Sequence, residues 1–124
     1  LDFDNLKRNS LTSFRKYIDL ENPSNNCFIC EERIINETPS IDHVIPWSFI
    51  YHDDLWNLVY THKSCNSSKS NSIPTKLEIK KLGERNKLLS IILNSSEYQK
   101  KKIAKDLKLA IEQNYLEKFW VACQ

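Results

Sequence analysis

Two short pairs of metal-ligating residues constrain this chain more than anything else in it. Cys27-Phe28-Ile29-Cys30 and His62-Lys63-Ser64-Cys65 share one spacing. Two donors three residues apart reach one tetrahedral ion from a single tight turn. If both pairs hold the same ion, the segment between them must fold back on itself until its ends meet. The pairs therefore predict a Cys3His zinc site formed by Cys27, Cys30, His62 and Cys65. Four protein donors close the shell of such an ion and leave no place for substrate, so its role is structural. The alternatives are a reducible disulfide between Cys27 and Cys30, or buried free thiols. The start of the chain has no secretory pattern, so a disulfide is not expected and a cytoplasmic setting is. Cys123 reads as a leftover terminal thiol.

Composition narrows the field further. The chain has 124 residues, 40% hydrophobic and 27% charged, which fits one soluble globular domain. Gly83 is the only glycine. A phosphate-cradling loop or a dinucleotide fingerprint needs several positions without Cβ, so both are excluded. No apolar run approaches the roughly 20 residues that span a bilayer, so no membrane partner is expected. The chain starts at Leu1 and contains no Met, which reads as a piece of something larger.

Periodicity divides the chain into three parts. Over residues 2–20, Phe3, Leu6, Phe14, Tyr17 and Ile18 suit one helical face, and Asn22-Pro23-Ser24-Asn25-Asn26 ends it. From Cys27 to Tyr60 the apolar residues come in short β-rich runs: Ile34-Ile35, Ile41 to Ile45, and Leu58-Val59-Tyr60. Pro39, Pro46 and Asp53-Asp54 punctuate them. His62 to Ser70 is compatible with a short helix. After Pro74 a helical pattern runs to Leu93, and Asn94-Ser95-Ser96 with Glu97 reads as a break and a new N-cap. Ile103, Leu107, Ala110, Ile111 and Asn114 then predict one last helix reaching Trp120. The expected class is α+β, in one domain: an N-terminal helix (1–26), a zinc-clipped core (27–73) and a basic helical extension (74–124).

Between and beside the two cysteine pairs lie Asp42-His43 with Pro46, Asn57-Leu58-Val59, and Cys65-Asn66-Ser67-Ser68-Lys69. Each has an ordinary explanation alone, as a surface pair, a turn residue or a helix cap. As an ordered set from Cys27 to about Pro74, they resemble the HNH nucleases with their ββα-metal fold. The resemblance implies that His43 is the general base that takes a proton from the water attacking phosphorus, a task suited to imidazole. It implies that Asp42 and Asn66 hold the catalytic divalent ion, Mg2+ or Mn2+, for which oxygen ligands are suited. Asn57 falls on the asparagine that holds the catalytic loop. The implied reaction is single-metal phosphodiester hydrolysis leaving a 5′ phosphate and a 3′ hydroxyl. Two positions depart from the commoner pattern: Asn66 is a weaker neutral ligand than His, and the second zinc pair is HxxC rather than CxxC.

Charge supplies a candidate substrate surface. Residues 1–68 hold 6 Lys and Arg against 10 Asp and Glu, while residues 69–124 hold 12 against 6. The overall +2 thus conceals an acidic part and a basic part. Lys69, Lys100, Lys101 and Lys102 are candidate DNA contacts, with Lys76, Lys80, Lys81, Arg85 and Lys87 as further basic positions; the bland alternative is a solvated helix face. Trp47, Trp56 and Trp120 read as packing residues. His52 belongs to a polar loop and reads as surface. The expected partner is double-stranded DNA and the expected function a metal-dependent DNA endonuclease. The alternatives are a zinc-stabilised nucleic-acid-binding module with an inactive site, and a toxin-type nuclease domain, for which an immunity protein would be the partner.

Overall fold

A hairpin of two four-residue strands carries the middle of the chain, β1 (Ser40–His43) and β2 (Leu58–Thr61). They are antiparallel, with Ser40 opposite Thr61 and His43 opposite Leu58. The fold is known from a computed structural model, which describes residues 10–69 and 71–124. All four residues of β2 are buried, as expected of a strand covered on both faces. The chain between the strands folds into a short helix α2 (Trp47–Ile50) and a 3-10 turn at Leu55–Asn57. Helix α3 (Lys63–Lys69) follows β2 after one residue and completes a strand–strand–helix unit.

Helices surround this unit. A 3-10 turn at Thr12–Phe14 runs into α1 (Arg15–Glu21), and α4 (Lys76–Asn94), α5 (Lys102–Glu112) and α6 (Tyr115–Ala122) follow the core. Phe3 and Leu6, which the sequence places on the first helix, lie outside the described residues. Helix α4 begins with a capping box: Thr75 Oγ1 accepts from the Glu78 N–H, and Glu78 returns a carboxylate to the Thr75 N–H. It buries Ile79, Leu82, Asn86, Leu89 and Leu93, one inward stripe at alternating steps of three and four. Helix α5 buries Ala104, Leu107 and Ala110; its two small side chains allow close approach to the core. Ile18, Ile45, Leu58, Leu89, Leu93 and Leu107 meet in one hydrophobic cluster joining hairpin and helices.

The structure corrects four expectations. Ile34-Ile35 is not a strand: one isolated bridge, Asn26 to Arg33, forms beside it. Ile34 enters the core while Ile35 is exposed, and Asn36 turns the chain away at φ 62°. Pro74 precedes the N-cap of α4 rather than entering its first turn, because Thr75 and Glu78 fix the start. Ser96 closes α4 instead of capping a new helix; its hydroxyl donates to the Leu93 carbonyl and accepts from the Tyr98 N–H. The last helical stretch is two helices, broken at Asn114, which adopts a left-handed conformation at φ 55°. Asparagine tolerates that conformation better than most residues, so a helical period alone does not carry through it.

Candidate functional site

The two cysteine pairs meet. The Sγ atoms of Cys27, Cys30 and Cys65 and a ring nitrogen of His62 lie within 4.8 Å of one another. Cys30 Sγ is 3.4 Å and Cys65 Sγ 3.8 Å from His62 Nδ1. The S···N edge of a tetrahedral zinc site is about 3.6 Å for ordinary Zn–S and Zn–N bond lengths, so the donor set fits zinc. A knuckle at Cys27–Cys30 presents the first pair, and the entry to α3 presents the second. Backbone bonds hold the knuckle: the Phe28 N–H donates to Tyr60 O of β2, and the Glu31 N–H to Cys27 O. Burial raises the Cys27 thiol, but N–H donors from Cys30, His62 and Ile29 outweigh it and bring it down to about 6. Desolvation, together with the neighbouring sulfurs of Cys30 and Cys27, pushes Cys65 up to about 11. Thiolates this close need a cation among them to ionise together, the electrostatic condition that a metal meets. None of the four cysteines is in a disulfide.

The second cluster lies at the end of β1. Asp42 and His43 are both buried, 8% exposed each. Asn57, which the 3-10 turn delivers into the hairpin with none of its surface exposed, holds the backbone just beyond them. Its Oδ1 accepts from the Ile45 N–H at 2.8 Å, its Nδ2 donates to Ile45 O at 2.9 Å, and its carbonyl accepts from the Val44 N–H. An asparagine is the side chain that can satisfy both polar groups of one buried peptide residue at once.

His43 points its Nε2 at Asp53 Oδ1, 2.8 Å away. Asp42 faces α3 instead. Its Oδ2 is buried with no hydrogen-bond donor among the described residues, and the Lys69 ammonium stands 3.4 Å from it. That ammonium donates to the carbonyl of His43 at 2.8 Å. Burial raises the Asp42 pKa, with Lys69 and then His43 acting against it. A buried carboxylate whose Oδ2 is met only by an ammonium at 3.4 Å is already placed among positive charge and fits a divalent-ion ligand. Asn66 is half-buried and precedes Lys69 by three residues, so the two share one face of the helix that packs on β1.

Lys69 is thus neither a solvated lysine nor free to reach out; it is spent on Asp42 and His43. Arg85 is also redirected, donating to the carbonyls of Leu58 at 2.6 Å and Leu55 at 2.9 Å. Burial lowers its pKa to about 10, with Glu21 opposing. Lys81 binds Phe28 O and Glu31 beside the zinc knuckle. Of the basic run, Lys100 and Lys101 are exposed, and Lys102 pairs with Asp106 at 2.7 Å. His52 is exposed at the rim of a cavity of about 670 Å³ that Asp53, Asp54 and Lys102 also line. Trp56 is buried and Trp120 donates to Pro74 O, which agrees with packing roles.

The sequence missed Asp53, whose only signal was an acidic pair in the loop ten residues after His43. It also missed Asn86, which donates to Trp56 O from the middle of α4.

A family model described as HNH endonuclease matches residues 28–75. The segment belongs to the HNH endonuclease family. The match spans Cys30, Asp42, His43, Asn57, His62, Cys65, Asn66 and Lys69, and starts one residue after Cys27. The strand–strand–helix unit is therefore the HNH part of the molecule, while α1 precedes the match and α4, α5 and α6 follow it. Among curated proteins none matches the chain.

Proposed function

We propose that this HNH chain is a metal-dependent DNA endonuclease in which His43 is the general base. The observation that carries the reading is the pairing of two differently supported groups at one strand end. The His43 imidazole is held by a carboxylate, and beside it lies the buried Asp42 carboxylate, whose Oδ2 is faced by the Lys69 ammonium at 3.4 Å. One group suits proton transfer and the other suits a cation.

In the proposed reaction His43 accepts a proton from water as the water oxygen bonds to phosphorus. The bond from phosphorus to the 3′ oxygen breaks, and its electron pair leaves on that oxygen, which takes up a proton from solvent. The products are a 5′ phosphate and a 3′ hydroxyl. Asp42 and Asn66 would hold Mg2+ or Mn2+, and a bound divalent ion supplies electrostatic stabilisation to the charge that builds on the phosphate. Asn57 keeps the strand end in place by clamping Ile45, so His43 need not reorganise during the reaction. Zinc on Cys27, Cys30, His62 and Cys65 would hold α3, the helix that carries Asn66, against the hairpin. Exposed lysines, Lys100 and Lys101 among them, would meet the phosphate backbone of duplex DNA.

The test is plasmid cleavage across a Mn2+ titration by the parent and by Asp42→Asn. The variant is expected to keep zinc and DNA binding and to lose metal-dependent cleavage. Parent-like rates at every Mn2+ concentration would contradict the ligand assignment.

A further inference from the structure

We propose that Asp53 is the positioning residue of the catalytic base, fixing His43 in the tautomer that carries its proton on Nε2 so that Nδ1 faces the attacking water. This rests on the reading of His43 as general base.

The Nε2 to Oδ1 distance of 2.8 Å is that of a good hydrogen bond, and both side chains are shielded, 9% and 17% exposed. A carboxylate only accepts, so the shared hydrogen belongs to the imidazole. In a neutral ring the other nitrogen then carries the lone pair. Nδ1 of His43 therefore carries the lone pair and has no hydrogen-bond partner among the described residues.

The loop that delivers Asp53 is pinned at both ends. On one side α2 stops at Tyr51, whose backbone turns left-handed at φ 55° while its N–H donates to Trp47 O at 2.7 Å. The Tyr51 ring lies edge-on to Trp47, 4.8 Å between centroids. A left-handed tyrosine is uncommon and is kept only where the surroundings impose it. On the other side the Asn57 N–H donates to Asp54 O at 2.9 Å, and Asn57 is itself locked to Ile45. Asp53 is thus held by the same clamp that holds the strand of His43. When His43 takes the proton from water, the imidazolium forms beside a carboxylate of opposite charge.

The experiment reads tautomer and rate separately. Long-range 1H–15N correlation spectra of the zinc-loaded chain, at one mildly alkaline pH and without Mg2+ or Mn2+, identify the protonated nitrogen of His43; the His43→Ala spectrum assigns the signal. The parent is expected to show the Nε2–H form. Asp53→Asn, which keeps the shape of the side chain but can donate from its amide to Nε2, is expected to raise the share of the Nδ1–H form. It is also expected to lower kcat on plasmid DNA about 10- to 100-fold, with KM within about twofold of the parent. Asp53→Ser provides a second variant without an amide, should the first fold poorly. Absence of the Nε2–H form from the parent overturns the proposal, as does a kcat within about threefold of the parent in both variants. Parent-like cleavage by His43→Ala removes instead the general-base reading, which the spectra alone do not address.

Discussion

Asn57 holds more of the site than any other single side chain. With both Ile45 bonds lost at a fully buried position, Asn57→Ala is expected to lower unfolding free energy by about 2–4 kcal/mol, measurable by urea denaturation. Tyr60 offers a separate test of burial. Its hydroxyl donates to Asp19 at 2.8 Å, and burial, reinforced by that carboxylate, pushes its pKa up to about 12 from an ordinary value near 10. Its unfolded form ionises first, so stability is expected to fall as pH rises from 10 to 12. Tyr60→Phe lacks this titration, so its deficit against the parent, about 1 kcal/mol near neutrality, is expected to shrink across that window. A constant deficit in urea melts at both ends would contradict the assignment. Single residues were legible where chemistry and spacing coincide: Asp42-His43 and the two ligand pairs are visible in the chain itself. Asp53 was not, because nothing in a loop sequence tells which of two adjacent carboxylates faces inward. The left-handed Glu31 and Tyr51 escaped for a related reason. Each sits where tertiary contacts impose a conformation its residue type disfavours, one after the zinc knuckle and the other beside Asp53.

Among the elements, α4 is both the longest helix and a carrier of a weak position. Gly83 lies inside it, and a Cβ there would meet Leu116 Cδ2 at an ordinary 3.8 Å. Gly83→Ala is therefore expected to raise stability by about 1 kcal/mol through helix propensity, read as a later urea midpoint. Unchanged or reduced stability would show that α6 presses closer than the structure has it. The zinc-ligating set belongs to this scale too, since it ties the knuckle to α3. One zinc per chain is expected, lost on Cys27→Ser or strong chelation. The cost should be at least about 3 kcal/mol, yet less than the ~10 kcal/mol of zinc-finger peptides. The helices should survive in circular dichroism, because α1, α4 and α5 bury Ile18, Leu89 and Leu107 in the shared apolar core and do not depend on the metal for it. Helix α3 and the strands around Asp42 and Leu58 were readable from short apolar runs. The break at Asn114 and the loss of a strand at Ile34 were not, because both are decided by backbone turns at Asn114 and Asn36 rather than by hydrophobic period.

At the scale of the whole molecule the acidic and basic parts of the chain do not simply face a substrate and a metal. Lys69 and Arg85 from the basic part are consumed inside, on the Asp42–His43 pair and the backbone of the hairpin, and the partly exposed Lys81 is spent on the zinc knuckle. The contacts of Lys81 and Arg85 bind α4 to the knuckle and the hairpin, which is why α4 belongs to the same structural body as β2. Positive charge left outside includes Lys76, Lys80, Lys87, Lys100, Lys101, Lys105, Lys108 and Lys118, the positions the proposed function leaves for a phosphate backbone. No helix among the described residues is long and apolar enough to cross a membrane. The central claim is that this assembly cleaves DNA through His43. It is tested most directly by incubating supercoiled plasmid and Mg2+ or Mn2+ with the zinc-loaded parent and with His43→Ala, both shown to fold and to bind DNA. The account predicts cleavage by the parent, with 5′ phosphate ends, and a rate lower by about 10²- to 10⁴-fold in the variant. Equal cleavage by both, or none by a parent that binds the plasmid, would contradict it.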